Sequence, residues 1–131
     1  MTGLDTNVLV RYLTQDDPVQ ARKAEAIIDR ALAGGERVHL DTVVLCELVW
    51  VLRSAYGYDR ATIAETLTKL LEAGQLSVDD RDRLREATGC YAVGIGYFAD
   101  EVLALWNRSA GCDTTLTFDR VYRKSDLFTV L

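Results

Sequence analysis

The sequence predicts an α/β fold with a central, mostly parallel sheet of about four to five short strands flanked by helices. Two observations support this prediction. Short strand-like segments alternate with longer segments of helical periodicity, and glycines or capping residues separate them. The chain has 131 residues, enough for one domain with a sizeable core. Because no linker, repeat or low-complexity tract interrupts the pattern, we expect a single domain over residues 1–131.

In the first half of the chain, the element ends carry the clearest signals. Asp17 can cap a helix, Pro18 suits its first position, and Gln20 stands three residues after the cap. A glycine pair after residue 33 then stops the helical period. The predicted elements are a strand ending at Leu4, a helix over 8–13, a helix from Pro18 to Gly34, a strand at 38–40, a helix from Val43 to about Tyr56, and a helix between Asp59 and Gly74.

In the second half, residues 79–86 alternate in charge, which predicts a solvated helix. The short sequence Gly94-Ile95-Gly96 is interpreted as a turn, because it lacks the context of a dinucleotide-binding loop. The remaining predicted elements are a helix from Phe98 that closes before Gly111, a strand over 113–118 with Leu116 and Phe118 on one face, and a final strand over 127–131.

Composition excludes several classes of protein. The net charge of −5 argues against a protein that holds nucleic acid on a broad basic face, although an enzyme whose acids carry divalent cations remains possible. No apolar run approaches the roughly 20 residues that cross a bilayer, and because the first residues show neither a basic segment nor a small-residue cleavage site, we expect no export. Cys46, Cys90 and Cys112 are odd in number and widely spaced, which favours buried thiols over a disulfide or zinc site. We therefore expect a cytoplasmic protein without a membrane segment.

Three acids stand at the junctions between predicted elements. Asp5 and Asp119 each follow a strand, and Asp100 lies in the first turn of a helix. Each has an ordinary explanation, since Asp5 can cap a helix, Asp100 can favour the helix dipole and Asp119 can form a turn. In a parallel sheet, however, strand ends and the following helix starts lie on one edge, where ligands bind.

A fourth acid, Glu47, interrupts the apolar run 43–52. A helix that is hydrophobic nearly all round is buried, so Glu47 is expected at or near the interior. An ionised carboxylate there costs several kcal/mol unless it is paired or bound to a metal. Two alternatives remain open: Glu47 can lie on the one exposed face of its helix, or it can pair with Arg11 or Arg53.

Four carboxylates on one edge of a sheet would repel one another. At about 4 Å and an effective dielectric near 20, each pair costs roughly 4 kcal/mol. Protonation or hard cations relieve that cost, and all-oxygen ligation suits Mg²⁺ or Mn²⁺. Such ions activate water and stabilise phosphoryl oxygens. The pattern therefore predicts a metal-dependent enzyme that acts on phosphate esters.

Together these segments resemble the PIN-domain ribonucleases, and among them the VapC-type toxins of bacterial toxin–antitoxin pairs. The resemblance spans the chain in order, spacing and length. Its motifs are LDTNVLVRYL at 4–13, ELVWVL at 47–52, FAD at 98–100, GCDT at 111–114 and TFDR at 117–120.

The resemblance implies a three-layer PIN-like fold and a Mg²⁺- or Mn²⁺-dependent endoribonuclease that hydrolyses RNA. It also implies inhibition by a small cognate VapB-type antitoxin, and a homodimer. By position, Asp5, Glu47, Asp100 and Asp119 match the catalytic, metal-binding acidic quartet, and Thr6, Asn7 and Thr117 match its supporting residues. The chain departs from the pattern at Tyr97 and Val121, where many relatives carry further acids.

Several residues outside the quartet have alternative interpretations. Arg11, Arg120, Arg123 and Lys124 can hold the RNA backbone, or they can be ordinary surface charge. We interpret His39 as structural, and we expect Trp50 and Trp106 in the core or at a dimer face. Val10, Leu13 and Ile28 could form an antitoxin groove.

Two rival functions remain. One is a phosphatase or phosphotransferase with Asp5 as nucleophile, although such enzymes usually carry a second Asp where this chain has Asn7. The other is a catalytically silent PIN-like scaffold that only binds a partner.

Overall fold

The computed structural model describes residues 1–131 as two compact units, Met1–Arg81 and Asp82–Leu131. All five strands are paired in parallel and alternate with helices, so the α/β prediction is confirmed. A single domain over the whole chain stays a prediction. In order, the elements are β1 Thr2–Gly3, α1 Thr6–Thr14, α2 Pro18–Ala33, β2 Val38–His39, α3 Thr42–Ser54, α4 Arg60–Glu72, β3 Leu76–Ser77, α5 Arg81–Val93, α6 Phe98–Ser109, β4 Thr115–Thr117, a 3₁₀ turn Arg120–Tyr122, and β5 Phe128–Val130.

The first unit is built on the parallel sheet β1-β2-β3. Val38 of β2 is paired with Thr2 on one side and with Leu76 on the other. The sequence did not predict β3, which has only two residues. The guanidinium of Arg81 donates hydrogen bonds to the carbonyls of Leu71 and Leu76, and so links the end of α4 to this strand.

An aspartate caps each of the four helices in the first unit. Asp5, Asp17, Asp41 and Asp59 stand at the N-caps of α1 to α4, and each side chain accepts a hydrogen bond from a backbone N–H of the first turn. These contacts satisfy donors that a helix start otherwise leaves unpaired. The capping role considered for Asp5 is therefore confirmed.

Helix α3 is buried on one side only. Leu45, Leu48 and Leu52 are fully buried, whereas Val43, Glu47 and Trp50 are exposed. These three exposed residues recur at helical spacing, so they form one stripe along the helix. The expectation that Glu47 lies at or near the interior is wrong, and the exposed-face alternative is correct. Trp50 has 70% of its surface exposed, so of its two predicted places the core is wrong and the dimer face stays a prediction.

The second unit contains the two-stranded parallel sheet β4-β5. Tyr122, Phe128 and Ala104 form a small buried cluster beside it. Helix α5 continues through Gly89, further than the charged segment predicted, and a turn at 94–96 follows it as expected. Leu116 and Phe118 are both exposed. No helix of the chain combines the length and the apolar character needed to cross a membrane.

Candidate active site

The first unit contains four of the predicted quartet and supporting residues, among them Asp5, Thr6 and Glu47. Asp5 lies between β1 and α1, and its Oδ1 accepts a hydrogen bond from the Val8 N–H at 3.0 Å. The Thr6 hydroxyl donates to Glu47 Oε2 at 3.2 Å, and Thr6 itself is only 8% exposed. Because α1 packs against α3, residues 41 positions apart meet through this hydroxyl. Asn7, the fourth of these residues, is exposed beside them.

The second unit holds Asp100 through a tyrosine. The Tyr122 hydroxyl donates to Asp100 Oδ2 at 2.7 Å, and it accepts a hydrogen bond from the Tyr97 backbone N–H at 2.9 Å. Burial raises the pKa of Tyr122 well above its usual value, and the facing Asp100 carboxylate raises it further. The tyrosine therefore stays protonated and remains a donor to Asp100.

Asp119 is fixed by the turn that follows β4. Its Oδ1 accepts a hydrogen bond from the Val121 N–H at 3.0 Å, which caps the 3₁₀ turn. Its own N–H donates to the Thr117 hydroxyl oxygen, also at 3.0 Å. The turn-forming role of Asp119 is therefore confirmed, and Thr117 supports the backbone at this acid. Each unit thus brings two of the four predicted carboxylates into an ordered setting.

The four predicted RNA-contact residues fall into two groups. Arg11 is engaged within the first unit, where its guanidinium donates to Gln20, Asp16 and Tyr56. A hydrogen bond from Tyr56 also lowers the pKa of Asp16 in this network. In contrast, the second unit exposes Arg120, Arg123 and Lys124 along an open cavity of about 930 Å³.

One other group of side chains could hold a cation. The ligand atoms of His39, Asp41 and Asp79 lie within 4.8 Å of one another. Each of these residues already has a structural contact: Asp41 caps α3, Asp79 accepts from the Thr42 hydroxyl at 2.8 Å, and His39 is hydrogen-bonded to Ser77. The group shares no residue with the predicted quartet.

Sequence reasoning missed two residues near the predicted acids. Tyr122 contacts Asp100 across 22 positions, and nothing in the local pattern around Tyr122 marks that contact. Phe118 directly follows β4, beside Asp119, and 82% of its surface is exposed. A further expectation needs correction, because Val10 and Ile28 are only 2% and 4% exposed and are not available for an antitoxin groove.

The donor chemistry fits a hard cation. The four acids and their hydroxyl supports offer only oxygen atoms, which suit Mg²⁺ or Mn²⁺ better than softer metals. In Asp5, Asp119 and Asp100, the hydrogen bonds described above engage one carboxylate oxygen each, Oδ1 in the first two and Oδ2 in the third. The remaining oxygen of each could ligate a cation without disturbing its structural contact.

Comparison with known proteins supplies a family. A family model described as the PIN domain matches residues 4–126. The chain is also 26% identical over 130 residues to a VapC ribonuclease from Aquifex aeolicus (strain VF5), an alignment that covers 99% of this chain and 96% of that protein. No solved structure matches the chain.

Proposed function

The chain belongs to the PIN domain family, and we propose that it is a divalent-metal-dependent endoribonuclease, the toxin of a toxin–antitoxin pair. The family match covers all four predicted carboxylates, and the similar protein over nearly the whole length is named a VapC ribonuclease. The observation that carries the proposal is the pair of ordered carboxylates in each unit, Asp5 with Glu47 and Asp100 with Asp119.

In the proposed mechanism, Asp5, Asp100 and Asp119 would hold Mg²⁺ or Mn²⁺, and Glu47 would either complete the ligand set or accept a hydrogen bond from water. The bound cation would lower the pKa of a water molecule and neutralise charge on the scissile phosphate. Thr6 orients Glu47 because its hydroxyl donates a hydrogen bond to Oε2. Asp119 is held by its backbone contacts, so its carboxylate loses little freedom on binding a cation.

RNA is proposed to bind along the exposed cations of the second unit. Arg120, Arg123 and Lys124 would contact phosphates, while the exposed ring of Phe118 offers a base a stacking surface next to Asp119. We leave Arg11 out of this set, because its guanidinium is already occupied by intramolecular hydrogen bonds.

The antitoxin is proposed to dock in the first unit. A cavity of about 520 Å³ there is lined mainly by apolar side chains, including the half-buried Tyr12 and Leu13. An amphipathic helix can fill such a cavity with its apolar face. An Arg or Lys of the antitoxin set against the carboxylates would replace the cation and silence the enzyme. Leu13→Arg should abolish complex formation with the product of an adjoining reading frame and leave RNA cleavage intact.

A homodimer through α3 is also proposed. Trp50 lies toward the C-terminal end of α3 with 70% of its surface exposed, and exposed tryptophan is a typical anchor of protein interfaces. Val43 lies on the other side of Glu47 along the helix and is left out of the proposed interface, so that the Glu47 carboxylate stays accessible. Trp50→Glu should halve the mass measured by sedimentation, and it should still unfold in one cooperative transition on heating. Val19→Glu, at another exposed apolar position, is the matched control and should stay dimeric. A monomeric wild type would contradict the proposal.

The central experiment measures cleavage of a defined RNA with and without Mg²⁺ or Mn²⁺. Asp5→Asn and Asp100→Asn should each reduce the rate by about 10³-fold or more, because each removes a charge that holds the cation. Asp113→Asn changes an exposed acid outside the quartet and should cleave like the wild type.

The same experiment separates the rival functions. Cleavage that is equal in wild type and Asp5→Asn would reject the quartet, and no metal-dependent cleavage at all would favour the silent scaffold. A trapped phosphoryl-aspartate at Asp5 would favour the phosphotransferase.

A further inference from the structure

The second unit ties two of the proposed metal ligands together through Tyr122, whose ring is 3% exposed. The ring stacks on Phe128, with centroids 4.1 Å apart and the planes inclined at 23°. This packing fixes the ring, and so it fixes the position of the hydroxyl at its end. Tyr122 therefore reaches Asp100 from a rigid base.

Both hydrogen-bonding roles of the Tyr122 hydroxyl are in use. It accepts from the Tyr97 N–H at 2.9 Å and donates to Asp100 Oδ2 at 2.7 Å. Because the accepted bond comes from backbone, the hydroxyl proton is directed at the carboxylate and not elsewhere. Asp100 is thereby held with Oδ2 occupied, and Oδ1 remains for a cation.

Tyr122 also belongs to the short turn that presents Asp119. The Tyr122 N–H donates to the Asp119 carbonyl at 3.3 Å, and the Asp119 carboxylate caps the same turn through Val121. A displacement of this turn would therefore move Asp119 and release Asp100 together.

The close approach of the ring depends on Gly96. A Cβ atom at this position would lie 2.4 Å from Tyr122 Cε1 and 2.5 Å from its hydroxyl oxygen, closer than any real contact. The backbone just before α6 can run beside the tyrosine only because this residue has no side chain. The position of the Tyr122 hydroxyl at Asp100 therefore depends on the glycine at position 96.

Resting on the proposed function, we propose that Tyr122 is a positioning residue that orients Asp100 toward the cation and couples it to Asp119. Tyr122 touches neither RNA nor cation, and it acts through the carboxylate. The alternative is that the hydrogen bond stabilises the fold and has no effect on metal binding. The two differ in one quantity, the affinity of the folded, RNA-free protein for Mn²⁺.

The test is a titration of metal-stripped protein with Mn²⁺, followed by electron paramagnetic resonance of the unbound ion. Tyr122→Phe keeps the ring and its stacking but removes the hydroxyl, and it should raise the dissociation constant by about 10- to 100-fold. The Mg²⁺ concentration for half-maximal cleavage should rise in parallel, while kcat at saturating Mg²⁺ falls much less.

Two further variants separate positioning from stability. Leu84→Ala opens a cavity at a fully buried position of α5 outside the cluster that contains Tyr122, so it should lower the melting temperature and change the Mn²⁺ dissociation constant by less than about 3-fold. Gly96→Ala keeps every hydrogen-bonding group but displaces Tyr122, so it should weaken Mn²⁺ binding as Tyr122→Phe does, and it serves if Tyr122→Phe fails to fold.

The outcomes distinguish this inference from the proposed function. If Asp100→Asn removes Mn²⁺ binding while both Tyr122→Phe and Gly96→Ala bind like the wild type, the role of Tyr122 is wrong and the nuclease proposal survives. If the wild type does not bind Mn²⁺, both are overturned.

Discussion

The two units hold their carboxylates by different means. In the first unit, Asp5 and Glu47 are exposed, and their contacts are a helix cap and one threonine hydroxyl. In the second unit, Asp100 receives the hydroxyl of a buried tyrosine, and the backbone of a short turn fixes Asp119. The second pair is therefore more rigidly positioned than the first.

From this difference we expect the four carboxylates to differ in their roles, metal binding for some and activation of water for others. A carboxylate on a rigid support can define where a cation sits at little entropic cost, whereas an exposed one can adjust to water and substrate. We therefore expect Asp100 and Asp119 to set metal affinity. Asp5, although also a proposed ligand, should contribute less to metal affinity, and Glu47 should contribute more to the chemistry of the bound water.

The largest expected difference between the two units is in how much metal affinity is lost when the hydroxyl that contacts a carboxylate is removed, and Thr6 provides the test in the first unit. Thr6→Val removes the hydroxyl that meets Glu47 and keeps the shape of the side chain. A lost hydrogen bond of this kind is worth about 1 kcal/mol, so Mn²⁺ affinity should fall less than about 10-fold. That loss is smaller than the one expected for Tyr122→Phe, and titration of both variants with Mn²⁺ checks the order. An effect of Thr6→Val equal to or greater than that of Tyr122→Phe would contradict the comparison.

A smaller effect concerns stability without metal. Asp5→Asn should leave the free energy of unfolding nearly unchanged, because asparagine caps a helix as well as aspartate does. Asp100→Asn should lose about 1 kcal/mol, since it replaces a charged acceptor of the Tyr122 hydroxyl with a neutral one. Urea denaturation in the presence of a chelator measures both. Equal stability losses would indicate that the two units hold their acids alike.

The smallest expected effect concerns the reactivity of the three cysteine thiols. Cys46 of the first unit and Cys90 of the second are half-buried, and Cys112 of the second unit is exposed. Burial raises the pKa of Cys46 to about 11 and also raises that of Cys90, so both remain protonated at pH 8. Iodoacetamide at pH 8 should therefore modify Cys112 first, as mass spectrometry can follow, and Cys46 should react only as the pH approaches 11. Rapid modification of Cys46 at pH 8 would contradict its burial.

Local signals in the sequence predicted most of the fold. The caps of α2 and α4 lie within a few residues of the groups they bond, so Asp17 and Asp59 could be recognised from spacing alone. Strand β3 could not, because its two residues carry no periodicity and are defined by their pairing with β2. A local sequence pattern cannot predict a strand of two residues that is defined by its pairing with a distant strand.

The sequence marks four acids as a candidate site, which stays a prediction, and it marks Thr6 and Thr117 beside them, which contact Glu47 and the Asp119 backbone. It does not mark Tyr122. The four acids stood out because they interrupt apolar segments or follow strands, whereas Tyr122 resembles any other aromatic core residue. The exposure of Glu47 shows a further limit of prediction from composition. Its helix is apolar nearly all round, yet one stripe with Val43 and Trp50 is exposed, and apolar composition alone cannot tell a core face from an interface.

The most direct test of the central claim is a crystal structure of the protein with Mn²⁺, in which anomalous scattering locates the ion. We predict a peak ligated by carboxylate oxygens from both units, among them Asp5 and Asp100. A peak bounded by acids of one unit alone, or one at His39, Asp41 and Asp79, would contradict the shared site.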